Sequence, residues 1–184
     1  MKLFQNRFFA ILLAILVVIG STLINTNIKF GRKCKEVSDQ FYGSSVSRGG
    51  SEVSIAEALE AICVEAETLS VVADDCGVDA AAVTNAVSNL RRNIHNEFFY
   101  GIRSSYDVLR SGLTTMLGQL AQVNLDDQSA RTVSGCSAAI ADLQSAIAAS
   151  DYNDTVRTFL RRYDHFPTAQ LAELAGVEMP QAFS

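Results

Sequence analysis

Phe8 to Ile24 (FFAILLAILVVIGSTLI) runs for 17 residues without a charge, and Asn25 to Asn27 extend it to Ile28 at modest cost. A membrane-spanning helix needs about 20 mainly apolar residues, with a lower limit near 17. The run therefore predicts a single-pass anchor over residues 8–28, preceded by a short segment, 1–7. A cleaved secretory signal is the alternative, because Lys2 and Arg7 make a basic leader to a compact apolar stretch. The best small-residue cleavage pattern, Val18-Ile19-Gly20, follows the bulky Leu16 and Val17, so the uncleaved anchor is preferred.

Charge divides the chain at the same place. Residues 1–35 hold all four lysines and two arginines with no acid, +6, whereas residues 36–184 hold nine arginines against 20 carboxylates, −11. Lys29, Arg32, Lys33 and Lys35 outnumber Lys2, Arg7 and the α-amine by about one charge, which predicts a cytoplasmic body. These four cations lie where anionic headgroups would meet them, making the lipid bilayer the first expected partner. Nucleic acid is excluded as a partner by the −11 body, which phosphate would repel.

The body reads as all-α. After Phe41, a Gly/Ser-rich stretch from Gly43 to Ser51 reads as a connector. Ile55, Leu59, Ile62, Ala66, Leu69, Ala73 and Cys76 then recur at alternating steps of four and three, a seam of coiled-coil type. Ser54 or Ser51 is expected to cap its start, Glu57 completing a capping box with Ser54, and Gly77 stops it. From Asp79 to about Val123 the pattern predicts one helix on the order of 65 Å long, with bends at Gly101, Gly112 or Gly118. Asn124 to Asp127 gives a turn and an acidic cap. A further helix follows from Asp127 to His165, with a weak point at Ser150-Asp151. Pro167 ends that helix, and a short one follows from Ala169 to Ala175. Strand signals are nearly absent. The expected architecture is an N-terminal transmembrane helix continuing through Phe41 into an antiparallel bundle of three to four long helices.

Chemistry is sparse. Cys34, Cys63, Cys76 and Cys136 include no C-x-x-C pair and read as buried thiols. His95 and His165 have no ligand partner at helical spacing, and His95-Asn96-Glu97 lacks the Cys-x-x-Cys of a zinc deaminase. Glu60, Glu65 and Glu67 read as a solvated face, and the Arg91-Arg92 and Arg161-Arg162 pairs as partners of nearby acids. No phosphate loop, nucleophile elbow or di-iron pattern occurs. No catalytic residue, cofactor or metal ligand is assigned, and a non-enzyme is expected.

The most specific text is C-terminal: Tyr152, Asn153 and Val156 on one helix, Phe166-Pro167 as its stop, then Ala172, Gly176 and a final Phe183. This resembles the closing signature of the LemA family over residues 152–183, and the chain order resembles that family too. The resemblance implies a membrane-anchored helical-bundle domain over 29–184, with a short outside N-terminus and the bundle inside. Independently, Tyr152, Val156, Phe159, Tyr163 and Phe166 form one apolar stripe that closes a bundle end. The expected function is a scaffold or interaction module, open to a protein partner or self-association through its long seams. The alternative is an extracytoplasmic sensory or ligand-binding bundle with a pocket near Gly101 to Gly118.

Overall fold

The computed structural model describes residues 7–48, 51–163, Gln170 and 177–183. Among the described residues lie six helices and one short hairpin: α1 (Arg7–Tyr42), β1 (Ser44–Arg48), β2 (Ser51–Ser54), α2 (Ile55–Asp75), α3 (Ala81–His95), α4 (Phe99–Leu120), α5 (Asp127–Ala148) and α6 (Asp151–Tyr163). The helical-bundle expectation holds. α2 lies between α5 and α3, α3 packs along α4, and α1 docks on α2 and α6.

The seam of α2 forms as its spacing demands. Ile55, Leu59, Ile62, Ala66, Leu69 and Ala73 are all buried. Ser54 accepts from the Glu57 backbone N–H (3.1 Å), and the Glu57 carboxylate accepts from the Ser54 backbone N–H (2.8 Å). The Ser54 N–H and, after it, the Ser54 hydroxyl (3.1 Å) donate to the Glu57 carboxylate and hold it below its usual range. At the other end Gly77 takes φ 73°, and Val78 N–H reaches back to the Ala73 carbonyl (2.8 Å). That is a Schellman stop, with the C′ position filled by the residue least strained there.

Two expectations are corrected. The long helix from Asp79 to Val123 is two antiparallel helices, α3 and α4, and the break falls at Asn96-Glu97-Phe98 and at none of the glycines. Glu97 adopts φ 54°, and Phe98 N–H bonds the Asn93 carbonyl (3.0 Å), a second Schellman stop built without glycine. The seam then changes register: Phe98 is exposed while Phe99 is buried. Asn93 Nδ2 donates to Ser105 Oγ (2.8 Å), tying the two helices beside the turn. Gly101 belongs to this turn because a Cβ there would meet the Phe98 ring and lie 2.8 Å from Asn93 Cγ.

The connector is the second correction. It holds an antiparallel hairpin in which Val46 pairs with Val53 and Ser47 with Glu52, with an irregularity between Ser44 and Val46. Two β-branched valines in register supply the strand preference that the surrounding serines mask, and Val46 is buried under the helices. The helix from Asp127 is likewise divided at Ala149-Ser150, the polar point where weakness was expected.

α1 is helical throughout, as its continuation to Phe41 requires. Phe30, Cys34, Val37 and Phe41 are buried at steps of four, three and four, so its C-terminal part belongs to the core. Ile11, Leu12, Leu13, Ile15, Leu16 and Val17 are 42–63% exposed. The side chains of Phe8, Phe9, Val18, Ile19, Thr22, Leu23 and Asn25 to Asn27 lie outside the described ones. Among the described residues, no helix is long and apolar enough to cross a membrane.

Candidate functional site

The most elaborate side-chain arrangement is where α6 meets the chain's final described residues. Asn153 is fully buried one turn into α6. Its Nδ2 donates to the Ile147 carbonyl (2.6 Å), the Phe183 carbonyl (3.1 Å) and Ser150 Oγ (3.3 Å). Its Oδ1 accepts from the Phe183 backbone N–H (2.7 Å). One amide thus grips both polar groups of Phe183, as a neighbouring β-strand would. Ser150 Oγ also donates to the Ile147 carbonyl (2.7 Å), so the same residues fix the α5–α6 corner.

Three further bonds hold the tail. Tyr152 Oη donates to the Gln181 carbonyl (3.1 Å), Arg103 Nη1 to the Ala182 carbonyl (2.6 Å), and the Tyr100 N–H to the Glu178 carboxylate (2.5 Å). Glu178 thereby satisfies one of the open donors in the first turn of α4 and places its charge at the positive end of that helix. The Phe183 ring sits among Phe41 (5.5 Å between centroids), Tyr106 (6.0 Å) and Tyr152 (6.3 Å). Burial pushes the Tyr152 hydroxyl far up, with nearby Tyr42 adding to the effect, so it remains a donor.

Of the motif residues singled out in the sequence, Tyr152, Asn153, Val156 and Phe183 are described. Tyr152, Asn153 and Phe183 meet directly in this clamp, and Val156 is buried in the same core cluster. Phe166, Pro167, Ala172 and Gly176 lie outside the described residues, as do His165 and the short helix from Ala169. Sequence reading missed Phe41, Phe99, Arg103 and Tyr106 as parts of the clamp. Phe41 and Tyr106 were legible only as seam positions on helices far away in the chain, and Phe99 was hidden behind Phe98.

Elsewhere the polar groups are structural. Arg91 bonds Glu60 (2.6 Å) and Glu67, tying α3 to α2. Two of the three carboxylates expected on a solvated face are therefore engaged by one guanidinium. Arg92 donates to Asn89 Oδ1 (2.8 Å). All four cysteines are free; Cys34, Cys63 and Cys136 are buried and Cys76 half-buried. Burial lifts Cys34 and Cys136 to about 11 and Cys63 to about 12, which suppresses thiolate chemistry. His95 is exposed at the end of α3. Among the described residues, no group of three or more His, Cys, Asp or Glu is placed to hold a metal ion.

A groove of about 380 Å³ runs between α3 and α4, lined by Asp79, Val83, Val108, Ser111, Gly112 and Met116 among others. Its α4 wall, from Val108 to Gln119, overlaps the Gly101–Gly118 stretch, and the Gly112 backbone there admits close approach: a Cβ would lie 3.2 Å from Val83. Asp79 is the one ionisable group in its wall. No protein-family model, no curated protein and no solved structure matches this chain.

Proposed function

We propose that this chain is a single-pass, membrane-anchored helical-bundle protein of LemA type, acting as a scaffold or interaction module rather than as an enzyme. Residues 8–28 form the anchor, and 29–184 form the bundle, on the cytoplasmic side. The observation that carries this reading is the contrast along α1. Apolar side chains from Ile11 to Val17 stand exposed, whereas from Phe30 onward every third or fourth side chain is buried in the bundle. Such an uninterrupted apolar surface requires a covering, and hydrocarbon covers a helix whose backbone bonds are all internal. The family reading rests on the resemblance over residues 152–183, within which Tyr152 and Asn153 meet Phe183 in one clamp.

The interaction role follows from what the bundle offers. Its polar clusters satisfy one another, burial keeps the thiols of Cys34, Cys63 and Cys136 protonated, and its groove lacks the convergent polar groups of a reactive site. The groove between α3 and α4 is the feature that would serve the alternative, an extracytoplasmic ligand-binding bundle.

The test uses the full chain in membranes. Resistance to alkaline extraction, lost in a Leu13→Arg, Leu16→Arg double variant, is expected of an anchor, because each charge at mid-bilayer costs about 2.5–3.5 kcal/mol. A reporter fused after Ser184 reads sidedness, and crosslinking in the membrane reads partners or self-association. Extraction of the unaltered chain by alkali removes the anchor reading. External reporter activity transfers the bundle to the alternative, and a strictly monomeric bundle that crosslinks to nothing removes the scaffold role.

A further inference from the structure

α6 runs antiparallel to α1. Near its start, Tyr152 meets Phe41 (5.7 Å between ring centroids), and near its end, Phe159 and Tyr163 meet Phe30 (5.7 and 5.5 Å). The end of α6 therefore lies level with Phe30, two residues beyond Ile28, the last residue of the proposed anchor. Two residues of helix rise only about 3 Å, less than the thickness of a headgroup layer. Arg161 and Arg162 occupy that last turn and are exposed, as are Lys29, Arg32 and Lys33 beside Phe30 on α1.

Packing thus gathers cations from segments about 130 residues apart in the chain, in a body that is otherwise strongly acidic. Among the described residues, no ion pair takes up Lys29, Arg32, Arg161 or Arg162. Lys33 is paired with Glu36, Asp151 and Asp154 sit in the opposite, first turn of α6, and Asp154 is occupied by Arg157 (3.0 Å). The Arg162 guanidinium lies over the Tyr163 ring (5.6 Å to the centroid), a cation on an aromatic of the type that favours membrane interfaces. A helix dipole would account for arginines ending α6, but not for Lys29 and Arg32 in the interior of α1 at the same height.

We propose that Arg161 and Arg162 join Lys29 and Arg32 in one collar that binds the anionic headgroups of the bilayer in which α1 is set. The proposal rests on the anchor reading above and adds to it a second, folded-state contact. Arg161 and Arg162 are too far along the chain to direct insertion of the anchor. Their contribution arises only once the bundle has closed, and it fixes how the bundle stands against the membrane.

Hydrogen exchange of the full chain tests this in vesicles of phosphatidylcholine alone and in vesicles with a third of the lipid replaced by phosphatidylglycerol. The amides at 159–163 are expected to exchange more slowly with the anionic lipid, by up to about thirtyfold for two arginines at a charged surface. High salt and Arg161→Gln with Arg162→Gln should each abolish the difference, while Arg161→Lys with Arg162→Lys should keep it. These residues are exposed, so the variants leave the core intact. Equal exchange in both vesicles, with the chain floating with both, refutes the collar and leaves the anchor standing. A chain that floats with neither vesicle overturns the anchor, and the collar with it.

Discussion

Replacing Asn153 by Ala should unfasten the C-terminal tail. The side chain is wholly buried, and its removal deletes bonds to Phe183 N–H (2.7 Å), Phe183 C=O (3.1 Å), Ile147 C=O (2.6 Å) and Ser150 Oγ (3.3 Å). The Ile147 carbonyl keeps the Ser150 hydroxyl (2.7 Å), so its loss is small. Phe183 keeps no replacement for either backbone group, and each buried orphan costs about 1–3 kcal/mol. The sum is about 4 kcal/mol, or a fall of roughly 8–16 °C in the thermal midpoint for a chain of this size. Far-UV circular dichroism of the full chain in mild detergent measures it. The mechanism is isolated by a second background that ends at Gln181. That truncation loses the Phe183 ring and costs about 3–5 kcal/mol by itself, but within it Asn153→Ala should cost only about 1 kcal/mol. The missing 3 kcal/mol is the coupling between Asn153 and the tail. An equal cost in both backgrounds would show that Asn153 serves the α5–α6 corner alone, and the clamp would be refuted.

Other consequences are open to the same measurements. Gly118→Ala adds a Cβ that meets nothing within 4 Å and should raise stability by about 1 kcal/mol, whereas Gly101→Ala drives one into Phe98 and Asn93 and should lower it by about 1–3 kcal/mol. Opposite signs in thermal melts are required, since two gains would deny the tight turn. Glu97→Gly relieves a left-handed, non-glycine residue at φ 54° and should raise the midpoint by about 2–4 °C. It should also lower the Tyr42 hydroxyl from about 12, which burial sets first and Glu97 raises further, a change readable by ultraviolet titration. For the thiols, the folded pKa values of about 11 (Cys34, Cys136) and 12 (Cys63) exceed the unfolded value of about 8.5. The folded chain then keeps protons that the unfolded chain releases. The stabilisation is complete below about pH 8.5 and fades as pH rises toward 11 and 12. Thiol reagents at pH 8 should modify Cys76 first; equally rapid modification of Cys63 would contradict its complete burial.

The two Schellman stops show what a sequence reveals and what it hides. At the end of α2, Gly77 takes the left-handed position and announces the stop by its identity. At the end of α3 the same geometry falls on Glu97, with the same long-range bond, Phe98 to Asn93 in place of Val78 to Ala73. Nothing in Glu97 announces it, because tertiary packing of α3 along α4 outweighs the cost of about 1–2 kcal/mol for a side chain there. The apolar seam ran on through Ile94, Phe98 and Ile102 with unbroken four-residue steps, so periodicity favoured one helix. Only the exchange of Phe98 for Phe99 as the buried ring marks the turn. The hairpin was hidden for a related reason: two valines in register are too few to form a strand pattern, and it is burial of Val46 that fixes them. The clamp was half legible. Tyr152, Asn153 and Phe183 stood out as a motif, but the partners that give them meaning, Phe41, Phe99, Arg103 and Tyr106, are ordinary seam and surface residues until the chain folds.

The same helix provides both the proposed anchor and a wall of the core, and this determines what the clamp does for the protein. Between Ile28 and Phe30 there is no linker: α1 continues without a break, and its buried face begins within one turn. A bundle joined by a flexible segment would tumble against the membrane. Here its orientation is held through Phe30, Cys34, Val37 and Phe41, of which Phe30 packs on α6 and Phe41 on α6 and the tail, while α1 also docks on α2. Phe41 touches Phe99, Tyr152 and Phe183 at once. The final residues thus close the core around the helix that would carry the bundle on the bilayer. Loosening Asn153 should therefore do more than lower a melting point. It should free α6 from α1 and lower the protection of amides 159–163 on anionic vesicles even with Arg161 and Arg162 intact. A clamp variant that keeps full protection there would mean that the lipid, and not the tail, holds α6 in place.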